Sequence, residues 1–511
     1  MNAGTVPVLR ARAITKSFGT VTANDRVDFE LNRGEIHALV GENGAGKSTL
    51  MNMLYGMFRP DSGDIELDGV PADFQHVDDA IAAGIGMVHQ HFMLVPEFTV
   101  EQNITLGAEP RKLGFIDRKV SARAIQEPMR LIGFQIDPKR RAQDLSLAEQ
   151  QRVEILKVLY RGAKIIILDE PTAILAPQET EELFKTLRSL ASHGVAVIFI
   201  THKLWEVMEV ADRVTVLRAG ATHGTFPVDT IEIPDVVALM TGRTDVGLGR
   251  TPRSRPARPD RLVAANLRGR QTPDCAVDAV SFSIRGGEIL GIAGVDGNGQ
   301  NSLVALLTGV ASADTGELHL DGVDIAQTSL SARRERGIAY VPEDRHRDGL
   351  PVHASVIEGL AGVRLASRHG ISVLKPAISR SLTDWARGVV DRYGIKTASI
   401  RAAASSLSGG NQQKIVLARE LETRPKLMVM AQPTRGVDIG AAEGIYAAID
   451  ALAAEGAAVV VVSADLDELL RIADRILVLY RGGIAADFDA NTVSREQLGA
   501  AMTGGNLREA A

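Results

Sequence analysis

Gly41-Glu-Asn-Gly-Ala-Gly-Lys47-Ser48-Thr49 follows the apolar run Ala38-Leu-Val40 and leads into a helix-forming stretch, Ser48 to Met57. A strand, a glycine loop of this spacing and a helix together aim backbone N–H groups and a helix N-terminus at phosphate oxygens. Lys47 supplies the neutralising cation and Ser48 a hydroxyl suited to Mg²⁺, while Gly41, Asn43, Gly44, Ala45, Gly46 and Thr49 complete the cradle.

The same blueprint recurs downstream, where Gly294-Val-Asp-Gly-Asn-Gly-Gln300-Asn301-Ser302 keeps the glycines and lacks the lysine. Aligning Arg33-Gly34-Glu35 with Gly286-Gly287-Glu288 brings both loops into one register, 253 residues apart and without a gap. Leu145-Ser146 pairs with Leu407-Ser408, and Met240-Thr-Gly with Met502-Thr-Gly, at a spacing of 262, so the second copy carries nine extra residues before its Leu-Ser motif. This is an internal repeat. Between the copies, Gly249 to Arg261 holds three prolines, five arginines and no apolar periodicity, and reads as an extended, solvated linker. The expected organisation is a first domain over 1–246, a linker over 247–261 and a second domain over 262–511.

Composition narrows the class. Of 511 residues, 45% are hydrophobic and 23% charged, which suits a globular protein with sizeable cores. A formal charge of -6 and 4% aromatic content give no footprint for nucleic acid. Cys275 is the single cysteine, so neither an intrachain disulfide nor a cysteine metal cluster can form. Nowhere do about 18 consecutive apolar residues occur, so the chain is not expected to cross a membrane by itself.

Short β-branched runs, Ile165-Ile-Ile-Leu168 and Val195 to Ile200 in the first copy and Ala458 to Val462 in the second, read as buried parallel strands. Helical patterns such as Gln150 to Leu159 follow them, which predicts an α/β layered fold with ligand sites at the strands' carboxyl ends. At one such end stand Asp169 and Glu170, the first suited to a Mg²⁺ shell and the second to polarising an attacking water. Gln90 could report the γ-phosphate and the metal, and His202 could hydrogen-bond the γ-phosphate from across the water.

The order phosphate loop, Gln90, Leu145-Ser146, Asp169-Glu170, His202 resembles that of ATP-binding cassette (ABC) ATPases over nearly the whole chain. Leu407-Ser408-Gly409-Gly410-Asn411-Gln412-Gln413-Lys414 resembles the family signature, which opens a helix and grips ATP held by an opposing domain. The resemblance implies two tandem P-loop NTPase domains, each with a mixed β-sheet core and a helical subdomain, paired head to tail around ATP and Mg²⁺. Ser408 is then expected to cap the signature helix, with Gly409 and Gly410 allowing close backbone approach. Phe18 sits where the family stacks an aromatic ring on adenine.

The copies have lost different parts. Gln300, Asn301, Glu343, Ala431, Gln432 and Ala464 replace the lysine, serine, glutamine, two carboxylates and histidine of the first copy. The first copy's signature has become Leu145-Ser146-Leu147-Ala148-Glu149, and its turn ends in Ala176 where the second keeps Asp438. Sorted by composite site, Lys47, Ser48, Gln90, Asp169, Glu170 and His202 join Ser408, Gly409, Gly410 and Asp438 in one competent site. Every degraded element falls in the other.

Segments such as Met87 to Pro96, Gln151 to Gly162, Val341-Pro-Glu-Asp-Arg345 and Ala431-Gln-Pro-Thr-Arg-Gly436 resemble the fused energy subunits of bacterial importers for simple sugars and nucleosides, most of all the nucleoside branch. That likeness implies two integral-membrane permeases, an extracytoplasmic substrate-binding lipoprotein, and a peripheral place on the cytoplasmic face of the inner membrane. Phe92, Met93, Leu94, Val95 and Phe98 are candidates for a permease-docking groove. An exporter, or a soluble twin cassette acting on ribosomes or DNA, are the alternatives; the short proline-broken linker and the degraded site count against the latter.

Overall fold

Consecutive rather than alternating apolar positions mark the strands that carry the site, because both of their faces are buried. In Ile165–Asp169, Ile165 and Ile167 enter one core cluster and Ile166 and Leu168 another. Leu427–Ala431 repeats the arrangement, with Leu427 and Val429 on one side and Met428 and Met430 on the other. The computed structural model describes the chain apart from residues 1–5, 20, 90–91, 113–114, 173–174, 202, 243–257, 271–274, 296, 367–379, 438 and 505–511. It divides into two units, Met1–Gly247 and Leu248–Ala511.

In the first unit a six-stranded sheet runs in the order Ala221–Pro227, Arg213–Arg218, Ile36–Gly41, Ala196–Ile200, Ile165–Asp169, Ile85–Val88. Its first pair is antiparallel and the rest are parallel. One face packs on the antiparallel sheet built on Leu9–Phe18 and Val21–Leu31, the other on helices that include Leu147–Tyr160 and Pro177–Ser192. The second unit repeats this order strand for strand, from Gly483–Asp489 through Arg475–Tyr480, Ile289–Ala293, Ala458–Val462 and Leu427–Ala431 to Ile338–Val341. The fold class is therefore as expected, two tandem α/β units with mixed sheets and helical segments.

Two boundaries differ from expectation. The helix after the phosphate loop is Lys47–Leu54 and stops short of Met57, because Gly56 adopts φ 76 and ends it in the left-handed conformation that glycine tolerates. The strand Asp260–Gly269 takes in Asp260 and Arg261 from the expected linker. Arg258 is no free solvated side chain either: its guanidinium donates to the carbonyls of Ala454 and Glu455 at 3.3 and 3.2 Å, at the C-terminus of the helix Ile439–Ala454. Most of the expected linker lies outside the described residues.

The second unit also buries a cation that its pattern does not announce. Arg333 is fully buried and donates to the carbonyls of Leu306, Ala326 and Thr328. Burial pulls its pKa down to about 10. Leu306 lies in the last turn of Gln300–Thr308, so the charge meets the negative end of the helix that follows the second glycine loop.

Candidate functional site

The first loop leaves the central strand Ile36–Gly41 and enters the helix at Gly46, whose φ of 98 is open to glycine and costly for other residues. A Cβ at Gly46 would strike the Ala23 carbonyl, whereas one at Gly44, φ 80, would meet nothing within 4 Å. The loop is thus pinned on its inner side and open on its outer side. Lys47 is buried and donates to the Gly41 and Glu42 carbonyls at 2.6 and 3.0 Å. Burial pushes its pKa down, against the attraction of Glu170, Asp169 and Glu42. Ser48 is exposed at the start of the helix. An open glycine cradle beside one cation and two carboxylates fits a nucleotide phosphate chain.

Asp169 closes its strand beside Ile200. Burial, then the neighbouring Glu170 charge, raises its pKa, and Lys47 opposes both. Glu170 stands at φ 47, and its N–H donates to the Ile200 carbonyl at 2.9 Å. Gln432 of the second unit has φ 49 and donates to the Val462 carbonyl at 2.8 Å. Because the left-handed turn persists where no carboxylate remains, it belongs to the fold and not to the chemistry.

Sequence reading missed what locks this turn. Buried Glu206 accepts from Thr172 Oγ1 at 2.6 Å and Thr201 Oγ1 at 2.8 Å, and Lys203 Nζ lies 3.6 Å from it. One carboxylate so joins the turn after Glu170 to the end of the next strand. Its counterpart Glu468 at the matching position is the signal the sequence carries, an acid repeated in register 262 positions apart, and both are buried in the structure. Gln90, His202 and Asp438 lie outside the described residues. Phe18 is 46% exposed and meets Phe58 edge-on at 5.6 Å, with Lys16 Nζ 5.9 Å from its ring centre.

The two signature segments differ in what they do with their first-turn amides. In the first unit Ser146 Oγ accepts from the Glu149 N–H at 3.2 Å while the Glu149 carboxylate accepts from the Ser146 N–H at 2.8 Å, a closed capping box. Arg140 grips the same carboxylate at 2.6 and 3.1 Å. Burial works the other way, but Arg140 and the Ser146 amide hold Glu149 below its usual pKa. The Glu149 carboxylate is therefore turned back onto its own helix. In the second unit Ser408 occupies the N-cap position without the expected cap bond: its hydroxyl accepts from the Asn411 side-chain amide at 2.9 Å. The serine thus leaves the first-turn backbone amides of Gly409–Leu421 unused by its hydroxyl.

The degraded half keeps its loop shape. Gly297 and Gly299 hold φ 88 and 101, and Gln300 Nε2 donates to the Val295 carbonyl at 3.0 Å, the counterpart of the Lys47 bond to Glu42. Gln432 Oε1 accepts from the Ala464 N–H at 3.3 Å, and Arg435 pairs with Glu343. A pocket lined in part by Gly294, Gln300, Asn301, Ala431 and Gln432 remains; Glu343 is the one carboxylate in its lining, and Gln300, Ala431 and Gln432 stand where the first unit has its lysine and carboxylate pair.

Glu468 is pushed up to about 7 by burial, with Asp465 adding to the effect, whereas Lys203 stands beside Glu206 in the first unit. A folded pKa above the ordinary 4.5 means the native state binds more protons between about pH 4.5 and 7. This group's contribution to stability is therefore full below that window and lost as pH rises through it. Glu468→Gln, uncharged at every pH, should raise the melting temperature of the second unit relative to the parent at pH 8 and leave it nearly unchanged at pH 5. Equal effects at the two pH values would contradict the assignment.

The segment after Gln90 is a loop tied down by hydrogen bonds, with Met93 and Phe98 left outside. The Met93 N–H donates to buried Glu154 at 2.6 Å, Lys157 Nζ donates to the Met93 carbonyl at 3.3 Å, and Asn103 brackets Val95 through bonds of 2.8 and 3.1 Å. Met93 and Phe98 are 60% and 37% exposed. Phe92 and Val95 are half-buried, and Leu94 packs on the core.

A phosphate loop on the central strand, a strand end two strands away that carries Asp169 and Glu170 in the first unit, and a helix opened by Leu-Ser in both units and by the signature glycines in the second define a P-loop nucleotide-binding unit of the cassette type, its framework present twice. Residues 24–173 and 277–435 match the ABC transporter family. The chain belongs to the ABC transporter family, as an ATP-binding ATPase with two cassettes fused in one polypeptide. It is 41% identical to the nucleoside import ATP-binding protein NupA of Lactococcus lactis subsp. cremoris, over 98% of this chain and 99% of that one. The guanosine import ATP-binding protein NupO of Bacillus subtilis is 40% identical, over 98% of each chain. The ribose import ATP-binding protein RbsA 1 of Streptomyces avermitilis is 41% identical, over 96% of this chain and 92% of that one. Among solved structures, the archaeal ribosome recycling factor aABCE1 shares the fold at a TM-score of 0.61 and 20% identity, covering 93% of this chain and 90% of that one.

Proposed function

We propose that this chain is the ATP-hydrolysing energy-coupling subunit of a bacterial importer for nucleosides or simple sugars, with one competent composite ATP site and one degenerate site. The segregation of intact parts carries the reading: the first copy holds Lys47, Ser48, Asp169 and Glu170, and the second holds the open signature Ser408-Gly409-Gly410. The capping box supports it, because the first copy's signature satisfies its own amide and carboxylate. Lys47 and the loop amides hold the phosphates, Phe18 meets the adenine, and Glu170 takes the proton of the attacking water. Ser48, Gln90 and Asp169 are the proposed holders of Mg²⁺, which supplies charge neutralisation at the phosphate oxygens when bound. Gln90, His202 and Asp438 keep the roles expected of them as part of this proposal.

Full-length likeness to nucleoside, guanosine and ribose import proteins supports two permeases, a substrate-binding lipoprotein and a peripheral position on the cytoplasmic face of the inner membrane. Among the described residues no helix is long and apolar enough to cross a membrane. The pinned loop around Met93 suits a partner helix, since its backbone is fixed before any partner arrives. Met93→Asp, at an exposed position, is expected to lower ATP-driven nucleoside uptake by the reconstituted complex by about tenfold or more, because a charge would be buried at the contact. Unchanged uptake would refute the docking assignment, and a chain that purifies with no integral-membrane subunit would refute the importer reading.

A further inference from the structure

The second unit contains a bridge that the first cannot build. Arg345 follows the strand Ile338–Val341 and is half-buried. Its Nε donates to Gln412 Oε1 at 3.4 Å, in the first turn of the signature helix Gly409–Leu421. Its Nη1 donates to the Arg435 carbonyl at 3.2 Å, in the turn after Leu427–Ala431. The Arg435 side chain returns to pair with Glu343, two residues before Arg345. Gln412 is held from behind, because its Nε2 donates to the Ala404 and Leu407 carbonyls at 3.2 and 3.1 Å. Its oxygen must therefore accept, and His346 Nε2 also donates to it, at 2.8 Å.

Glycine at 409 has a second reason in this bridge. A Cβ there would lie 2.7 Å from Arg345 Nη2. At the matching positions of the first copy, Arg345 becomes Phe92 and Gly409 becomes Leu147, so the guanidinium and the space for it are lost together. Glu343 and Arg435 are matched by Gln90 and Ala173, which cannot form an ion pair. The bridge is confined to the copy with the open signature.

We infer that Arg345 is a positioning residue: it ties the segment after Ile338–Val341 and the turn at Arg435 to the start of the signature helix, so that the three move as one body. This rests on the composite-site reading, under which the signature is presented to ATP held by the first copy. Motion of the Glu343 segment then reaches the signature through one guanidinium with two acceptors, Gln412 Oε1 and the Arg435 carbonyl, without a nucleotide in the degenerate site.

The test uses the complete complex with its membrane partners. Arg345→Ala is expected to lower partner-stimulated kcat for ATP by about 10-fold with KM changed less than about twofold, since a displaced signature costs turnover while the first copy still binds ATP. Arg345→Lys should not rescue it, because a single ammonium cannot serve both acceptors. Glu343→Gln, which removes only the ion pair, should shift kcat in the same sense by a smaller factor, and guards against a folding defect in the arginine variant. An unchanged kcat in Arg345→Ala, rescue by lysine, or a KM rising in step with the fall in kcat would overturn the inference. If Glu170→Gln also fails to silence hydrolysis, the composite-site reading has failed; if Glu170→Gln silences it and Arg345→Ala does not, only the bridge has.

Discussion

Glu170→Gln is expected to lower steady-state ATP hydrolysis by about 10²–10⁴-fold while ATP still binds, the range set by removing a positioned general base. The substitution is close to isosteric, and the turn tolerates it: Gln432 occupies the matching place at φ 49 with the same backbone bond to its neighbouring strand. Loss of activity would therefore report chemistry and not a refolded turn. The reciprocal change, Gln432→Glu, should alter turnover little, because Ala431, Gln300 and Asn301 still leave that half without its metal ligand, cation and hydroxyl. Phosphate release by the purified chain with its partners, measured for both variants, decides the matter. Comparable losses in the two would remove the case for one working site.

Lys47→Gln should weaken ATP binding by roughly 100-fold, about 3 kcal/mol, the scale of a charge-assisted bond to phosphate. Here too the chain carries its own control. Gln300 shows that a glutamine fits this loop, with its amide on the Val295 carbonyl where Lys47 Nζ meets Glu42. The variant should keep its melting behaviour and lose affinity, which nucleotide titration of the isolated chain would read. Affinity equal to the parent's would mean that the loop is not where the phosphates sit.

Elements with strong local chemistry were legible from sequence. The glycine loop, the β-branched strands and the carboxylate pair each depend on residues adjacent in the chain, so periodicity and spacing suffice. What escaped were contacts between distant segments. Glu206 reaches Thr172 across 34 positions and Arg345 reaches Arg435 across 90, and no local pattern announces either. Ser408 misled for a different reason: a serine before two glycines has the form of a cap, but the Asn411 side chain competes for its hydroxyl. The helix after the glycine loop ends before its apolar pattern does, because Gly56 at φ 76 terminates it.

The closed cap at Ser146 and Glu149 changes what it would take to undo the asymmetry. Replacing Leu147 and Ala148 by glycines would spell the signature again, yet Ser146 and Glu149 would still satisfy each other, with Arg140 locking the pair. Opening that helix end for a ligand would sacrifice a cap worth about 1 kcal/mol on top of the cost of two helical glycines. Reversion thus runs uphill in folding stability before any gain in binding can be felt. Under the proposed division of labour, a local stability barrier at Ser146 and Glu149 would then hold the copies apart as much as the absence of catalytic groups does.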